Sequence, residues 1–160
     1  MHESTMLDDA VSRWTEWPTA KQRTGVRHAL ARLLDDLAPV GAPPRGAPRP
    51  VGPVRHHRSP TGCILQADAS AVSVSWFPAA DTISEFGELV VLVWSGVVSR
   101  PGATLGERGG AVVLAELSLR PVEVGPDVWG WRGTDETLYD GAELATRCRG
   151  LLERQPARTA

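Results

Sequence analysis

Short β-type runs, separated by turn residues, follow one another from residue 61 to residue 132 and limit what this chain can fold into. Four of the six tryptophans lie in this stretch. Apolar residues recur at every second position in residues 63–67 and again in residues 72–76, and a period of two is typical of strands. Asp68 and Ala69 between them predict a tight hairpin connection. The pattern as a whole predicts a curled antiparallel sheet.

Residues 89–94 are apolar at every position, so this strand has no polar face. Such a run predicts a central strand that is covered on both sides. The next strand alternates apolar residues with polar ones from Val113 to Leu119, which indicates one face in solvent. Pro121 then places the following residues at a sheet edge or beyond a kink, and residues 128–132 form a short last strand.

Helices are predicted on both sides of this sheet along the chain. Apolar residues at helical spacing indicate a first helix over residues 5–17. A second begins at Thr19, where Gln22 has the spacing of a capping box, and ends before Pro39. Asp140 and Glu143 have the same spacing ahead of a C-terminal helix that should pack on the sheet. The fold class is therefore α+β, with two N-terminal helices, a β-meander of four or five antiparallel strands and one C-terminal helix.

Residues 39–60 differ in composition from the rest of the chain. They contain seven prolines, interleaved with glycine, arginine and two histidines, and few apolar residues. Proline removes backbone donors and favours polyproline II, so this segment is predicted to be an extended Pro/Arg-rich linker. It divides the chain into a helical pair at residues 1–38 and a sheet with its C-terminal helix at residues 61–160.

The charge distribution argues against a nucleic-acid-binding protein. The chain has a formal net charge of −2, and residues 61–160 hold eight basic and thirteen acidic side chains. A polyanion-binding protein is expected to be basic overall. Only residues 39–60, with four basic and no acidic side chains, could contact phosphates.

The sequence contains no segment that predicts export or a membrane anchor. The first residues lack the apolar region of a signal peptide. The longest apolar run, residues 89–94, is far shorter than the roughly 20 residues that cross a bilayer. Cys63 and Cys148 are the two cysteines of the chain, too few for a disulfide framework. We expect a cytoplasmic protein that makes no contact with a membrane.

Trp129 and Trp131 are two residues apart and therefore share one face of the last strand, with Gly130 between them and Arg132 after them. If the tryptophans face inward, they belong to the core. If they face outward, they form a flat aromatic patch beside a guanidinium group, a composition typical of binding hot spots. Trp129, Trp131 and Arg132 are thus the candidate partner-binding residues.

A second set of candidates would supply the polar groups of a pocket lined by Trp76 and Trp94. His56, His57 and Cys63 are the nearest approach to a metal or nucleophile cluster, but a zinc site needs four ligands and these supply at most three, so no metal is predicted. Of them, His57 and Cys63 are the candidate polar groups of the pocket. Asp81 and Glu85 lie in the loop after the second strand and could act as acid and base if burial raised the pKa of one. Glycine-rich residues 106–110 lack the lysine of a phosphate loop, and no cofactor is predicted.

Two hypotheses follow from these features. The favoured one is a non-catalytic interaction module, an adaptor, chaperone-like or regulatory protein that binds a protein partner through a sheet edge or the tryptophan patch. The second face of residues 89–94 would be covered by the N-terminal helices or by a second subunit, which suggests a homodimer. The alternative is a small-molecule-binding domain or an enzyme with a pocket between the curled sheet and the helices.

Overall fold

The computed structural model describes residues 18–38, 54–79, 84–98 and 110–153. These residues form two helices, α1 (Ala20–Leu37) and α2 (Gly141–Glu153). They also form seven strands, which are β1 (Arg55–Ser59), β2 (Gly62–Gln66), β3 (Ser70–Pro78), β4 (Gly87–Ser95), β5 (Val112–Gly125), β6 (Val128–Gly133) and β7 (Leu138–Tyr139). Each strand pairs antiparallel with the next one in the chain, so the sheet is a single meander. The predicted α+β class is confirmed.

The described residues form seven strands, whereas four or five were predicted, because β1 lacks an apolar pattern and β7 is too short to show one. β1 lies within the predicted linker and has the sequence RHHRS, with four of its five residues exposed. It is held by its pairing with β2. β7 has two residues and pairs with β6. The helix predicted over residues 5–17 and most of the predicted linker lie outside the described residues.

α1 begins and ends where the sequence predicts. Thr19 Oγ1 accepts a hydrogen bond from the Gln22 backbone at 3.1 Å, and Gln22 Oε1 accepts one from the Thr19 backbone at 2.9 Å, which completes the capping box. Ala38 is extended, as expected of a residue that precedes proline. One stripe of the helix is buried, formed by Val26, Leu30, Leu33, Leu34 and Leu37.

Both helices pack on the same face of the sheet, which we call the inner face. α1 and α2 contact each other, and α2 also contacts β3 and β4. The core between helices and sheet includes Cys63, Leu65, Val72, Val74, Leu89, Val91, Val93, Leu119 and Trp131 from the strands and Leu144, Cys148 and Leu152 from α2. The C-terminal helix therefore packs on the sheet, as predicted.

The opposite, outer face of β4 carries Val90 and Leu92, both half-buried, and Trp94, which is buried. Trp94 Nε1 donates to Ser73 Oγ at 2.9 Å. Neither described helix lies on this face. The sequence correctly indicated that both faces of β4 are apolar, but the helical cover is on the inner face alone within the described chain.

Gln66 joins the β2–β3 turn to the chain that leaves β4. Its side chain is fully buried, and Nε2 lies 2.6 Å, 3.1 Å and 3.1 Å from the carbonyl oxygens of Ala67, Ser70 and Gly96. Its Oε1 accepts a hydrogen bond from the Val98 backbone at 2.9 Å. A buried amide with every polar atom paired fixes a single arrangement of these segments.

We predict that Gln66→Met lowers the free energy of unfolding by about 2–4 kcal/mol, because the replacement leaves buried carbonyl and N–H groups without partners. Urea denaturation measures this loss. Gln22→Met is the matched control, since it removes one exposed cap interaction and should cost about 1 kcal/mol or less. Equal losses in the two variants would contradict the role assigned to Gln66.

Candidate functional site

A groove of about 750 Å³ lies between α1 and the region where β6 and α2 begin. Eight residues of α1 line one side of it, the first being Ala20 and the last Asp36. Asp127, Val128 and Trp129 lie on the other side, together with the first residues of α2. From Lys21 to Asp36 the helix rises about 22 Å at 1.5 Å per residue. The groove is therefore elongated along the helix.

The α1 residues in the groove recur at intervals of three and four positions, beside the buried stripe of the same helix. They include the cationic Lys21 and Arg32 together with His28, and the sheet side contributes Asp127. Lys21 Nζ lies 3.4 Å from Asp127 Oδ1, and both side chains are more than two-thirds exposed, so this pair adds little stability. The groove presents charges of both signs to solvent.

Trp129 is the aromatic side chain at the centre of this region. It is half-buried, and its ring meets Phe86 edge to face with centroids 5.2 Å apart. The indole also lies against α1, because a Cβ on Gly25 would be 2.3 Å from Trp129 Nε1. Two smaller depressions, of about 380 Å³ and 450 Å³, are also lined by Trp129. Trp129 therefore contributes to three neighbouring concave surfaces.

The three predicted partner-binding residues do not share one face of the sheet, because Arg132 is separated from the two tryptophans. Trp129 and Trp131 both point to the inner face, where Trp131 is 1% exposed and meets Trp76 edge to face at 6.0 Å. Trp131 is thus a core residue whose ring borders the floor of the groove. Arg132 points to the outer face, opposite Arg120, and its Nε lies 3.9 Å from Glu136 Oε2. Of the three, Trp129 has the accessible position in the groove.

The polar residues predicted for a second pocket do not converge. Cys63 is buried in the inner-face core. His57 is exposed and pairs in register with Ile64, so it belongs to the outer face. Strand alternation accounts for this separation, because Cys63 and Ile64 are adjacent residues. Asp81 lies outside the described residues.

Glu85 is the member of that set that lies near the groove region. It is exposed and lines the 450 Å³ depression together with Phe86 and Trp129. Trp76 and Trp94, predicted to line one pocket, point to opposite faces of the sheet. The pocket proposed from the sequence therefore does not form around these two tryptophans.

The two thiols lie in one core cluster. Burial raises the pKa of Cys63 to about 11. Burial, with a further contribution from the nearby Cys63, raises the pKa of Cys148 to about 12. Both groups are protonated thiols at neutral pH, which disfavours nucleophilic chemistry at Cys63.

Within the described ranges, no group of three or more His, Cys, Asp or Glu residues is placed to hold a metal ion. Neither α1 nor α2 is long and apolar enough to cross a membrane. Comparison with models of protein families, with curated proteins and with solved structures finds no match. The geometry of the groove is therefore the basis for assigning a function.

The helix side of the groove was not predicted from the sequence, because exposed polar residues on a helix resemble any solvated face. The sequence feature that indicates a close contact at this helix is Gly25, a glycine inside the predicted helix. A glycine inside a helix costs about 1 kcal/mol relative to alanine and indicates a packing reason when it is retained. The structure supplies that reason, which is the close approach of Trp129.

We predict that Gly25→Ala destabilises the protein by about 1–3 kcal/mol, because the new methyl group would overlap Trp129. Gly150→Ala in α2 is the matched control. Apart from its own helix backbone and chain neighbours, no atom lies within 4 Å of its added Cβ, so the better helix propensity should stabilise the protein by about 0.5–1 kcal/mol. Urea denaturation of both variants measures the two effects. Stabilisation by Gly25→Ala would contradict the observed contact with Trp129.

We predict that both cysteines react slowly with thiol reagents in the native protein. At pH 8, a pKa of about 11 in place of the ordinary 9.0 lowers the thiolate fraction of Cys63 about a hundredfold. The native labelling rate should continue to rise with pH above 9, whereas labelling in denaturant levels off there. Mass spectrometry of timed samples measures both rates. Fast labelling of one native thiol would contradict its burial.

Proposed function

We propose that the protein is a non-catalytic interaction module that binds a polypeptide segment of a partner in the groove between α1 and β6. The elongated shape of the groove is the observation that carries this proposal. A length of about 22 Å accommodates about six or seven residues of extended chain at 3.3 Å per residue. A compact small ligand would occupy only part of it.

The composition of the groove supports the same assignment. Trp129 is a half-buried aromatic side chain, and Val128 beside it is 55% exposed. An aromatic anchor with a polar rim is typical of protein-binding hot spots. Arg32 and Asp36 on the helix side and Asp127 on the sheet side favour a partner segment that carries both charge signs around an apolar residue.

An adaptor or regulatory role in the cytoplasm is the setting that we propose for such a module. The two cysteines are free thiols in the core, which is compatible with a reducing compartment. The module would have its effect by binding the partner. Because the groove lies on the helix side of the sheet, a bound partner would leave the outer face free for further contacts.

Small-molecule binding is the second candidate, favoured by the size of the groove. Ligand sites commonly have volumes of about 300–1,000 Å³, and the groove measures about 750 Å³. Its aromatic lining would come from Trp129 and the edge of Trp131, with His28 and Asp140 as polar groups. Cys63 and His57 would take no part, because they lie outside this groove.

The test is to select peptides from a random library against the full-length protein and to titrate them against two charge-reversal variants. Arg32→Glu changes a residue of the groove, and Arg27→Glu changes an exposed residue of the same helix outside the groove. We predict that Arg32→Glu weakens peptide binding at least about tenfold, through lost charge complementarity. Fluorescence anisotropy gives the dissociation constants, and circular dichroism confirms that both variants are folded.

Equal effects of Arg32→Glu and Arg27→Glu on the selected peptides would place the binding site elsewhere. A screen of small compounds by nuclear magnetic resonance separates the two candidate functions. Compounds that perturb the Trp129 indole signal, in a protein for which no peptide is selected, would favour the small-molecule alternative.

A further inference from the structure

The first half of β5 has an open edge within the described part of the chain. β5 pairs with β4 from Val112 to Leu119, and with β6 only from Leu119 to Gly125. Between residues 112 and 118, the backbone groups that point away from β4 therefore have no described strand beside them. Unpaired N–H and C=O groups along a strand are a template for pairing with another chain.

The side chains along this edge are apolar and exposed. Val112, Val113 and Leu114 are 58%, 43% and 47% exposed, and Ala115 is exposed as well. Three of the seven large apolar side chains that are strongly exposed in the described chain are thus consecutive here. Consecutive exposed apolar residues on an unpaired strand mark an interaction site, whereas scattered ones are ordinary.

The other long edge of the sheet has a different composition. β1 carries Arg55 and Arg58, and charged side chains on an edge strand discourage pairing with other molecules. Residues 112–115 include neither a charge nor a proline. The β4–β5 ladder has a register shift beside Leu114, where Val93 pairs with Ala115 and Trp94 pairs with Val113. Of these two edges in the described part of the chain, that of β1 is charged and that of residues 112–115 is apolar.

We propose that the open edge of β5 pairs with the same edge of a second copy of this chain, antiparallel about a two-fold axis. Such an interface is isologous, so each copy supplies the apolar residues that the other needs. In the symmetric register, Val112 of one copy lies opposite Ala115 of the other, and Val113 lies opposite Leu114. Glu116 then lies opposite residue 111 of the other copy, so the two Glu116 residues are five positions, or about 17 Å at 3.3 Å per residue, apart along the strands. This exceeds the screening length of about 8–10 Å, so like charges do not oppose the pairing.

The proposed dimer does not use the groove. The open edge is the part of β5 beyond the end of β6, whereas the groove lies beside the start of β6, which pairs with the opposite end of β5. Each copy would keep its groove accessible, and a dimer would hold two. A short edge-to-edge contact falls in the class of small, transient interfaces, so we expect a dissociation constant in the micromolar range.

Sedimentation velocity of the full-length protein over a series of concentrations tests this dimer. Leu114→Lys places a charge on the open edge. Val124→Lys is the matched control, since Val124 lies on the same strand, beyond the open edge, and is 49% exposed against 47% for Leu114. The wild-type protein and Val124→Lys should dimerise as concentration rises. Leu114→Lys should have a dissociation constant at least about tenfold higher, because a buried unpaired ammonium is unfavourable.

A wild-type protein that stays monomeric throughout, or a dimer that Leu114→Lys leaves unchanged, would overturn the proposal. Hydrogen exchange supplies a second measurement on the wild-type protein. Protection of the amides in residues 112–118 should increase with protein concentration. Full protection of these amides in the monomer would show that another segment of the same chain occupies the edge, which also overturns the proposal.

Discussion

The packing of α1 and α2 against one face of the meander is the constraint on which the rest of the structure depends. It buries the inner-face residues of β2, β3 and β4, and on the same face Trp131 meets Trp76 edge to face. α1 reaches β6 closely because Gly25 has no side chain where the Trp129 indole lies. The groove is the space left beside this contact, so its position follows from how the helix meets the sheet.

Unequal strand lengths create the second surface of interest. β5 has 14 residues and β6 has 6, so β6 cannot accompany β5 along its full length. The half of β5 without β6 beside it carries exposed apolar side chains, and the rest of the strand contributes Leu117 and Leu119 to the core. Within the described chain, β5 therefore pairs with strands on one side only in its first half and pairs with β6 in its second half. The groove and the open edge of β5 are separate, so the proposed partner binding and the proposed dimer would not compete for one surface.

Strand alternation explains why residues that are neighbours in the sequence have different roles. Trp131 is in the core while Arg132, the next residue, is on the outer face. Cys63 and His57 are separated in the same way by the register of β1 against β2. A cluster of reactive residue types in a sequence therefore forms a site only when the register places them on one face.

The sequence by itself determined the α+β class, the boundaries of α1, the hairpin of β2 and β3 and the two-sided apolar character of β4. These features depend on local signals, namely caps, prolines and the periods of helix and strand. Only the tertiary structure decided the edge strands β1 and β7, the inward direction of Trp129 and Trp131, the common face of both helices and the groove. The physical reason is that edge pairing, register and the approach of α1 to Trp129 depend on contacts between residues far apart in the chain, which leave no periodic pattern in the sequence.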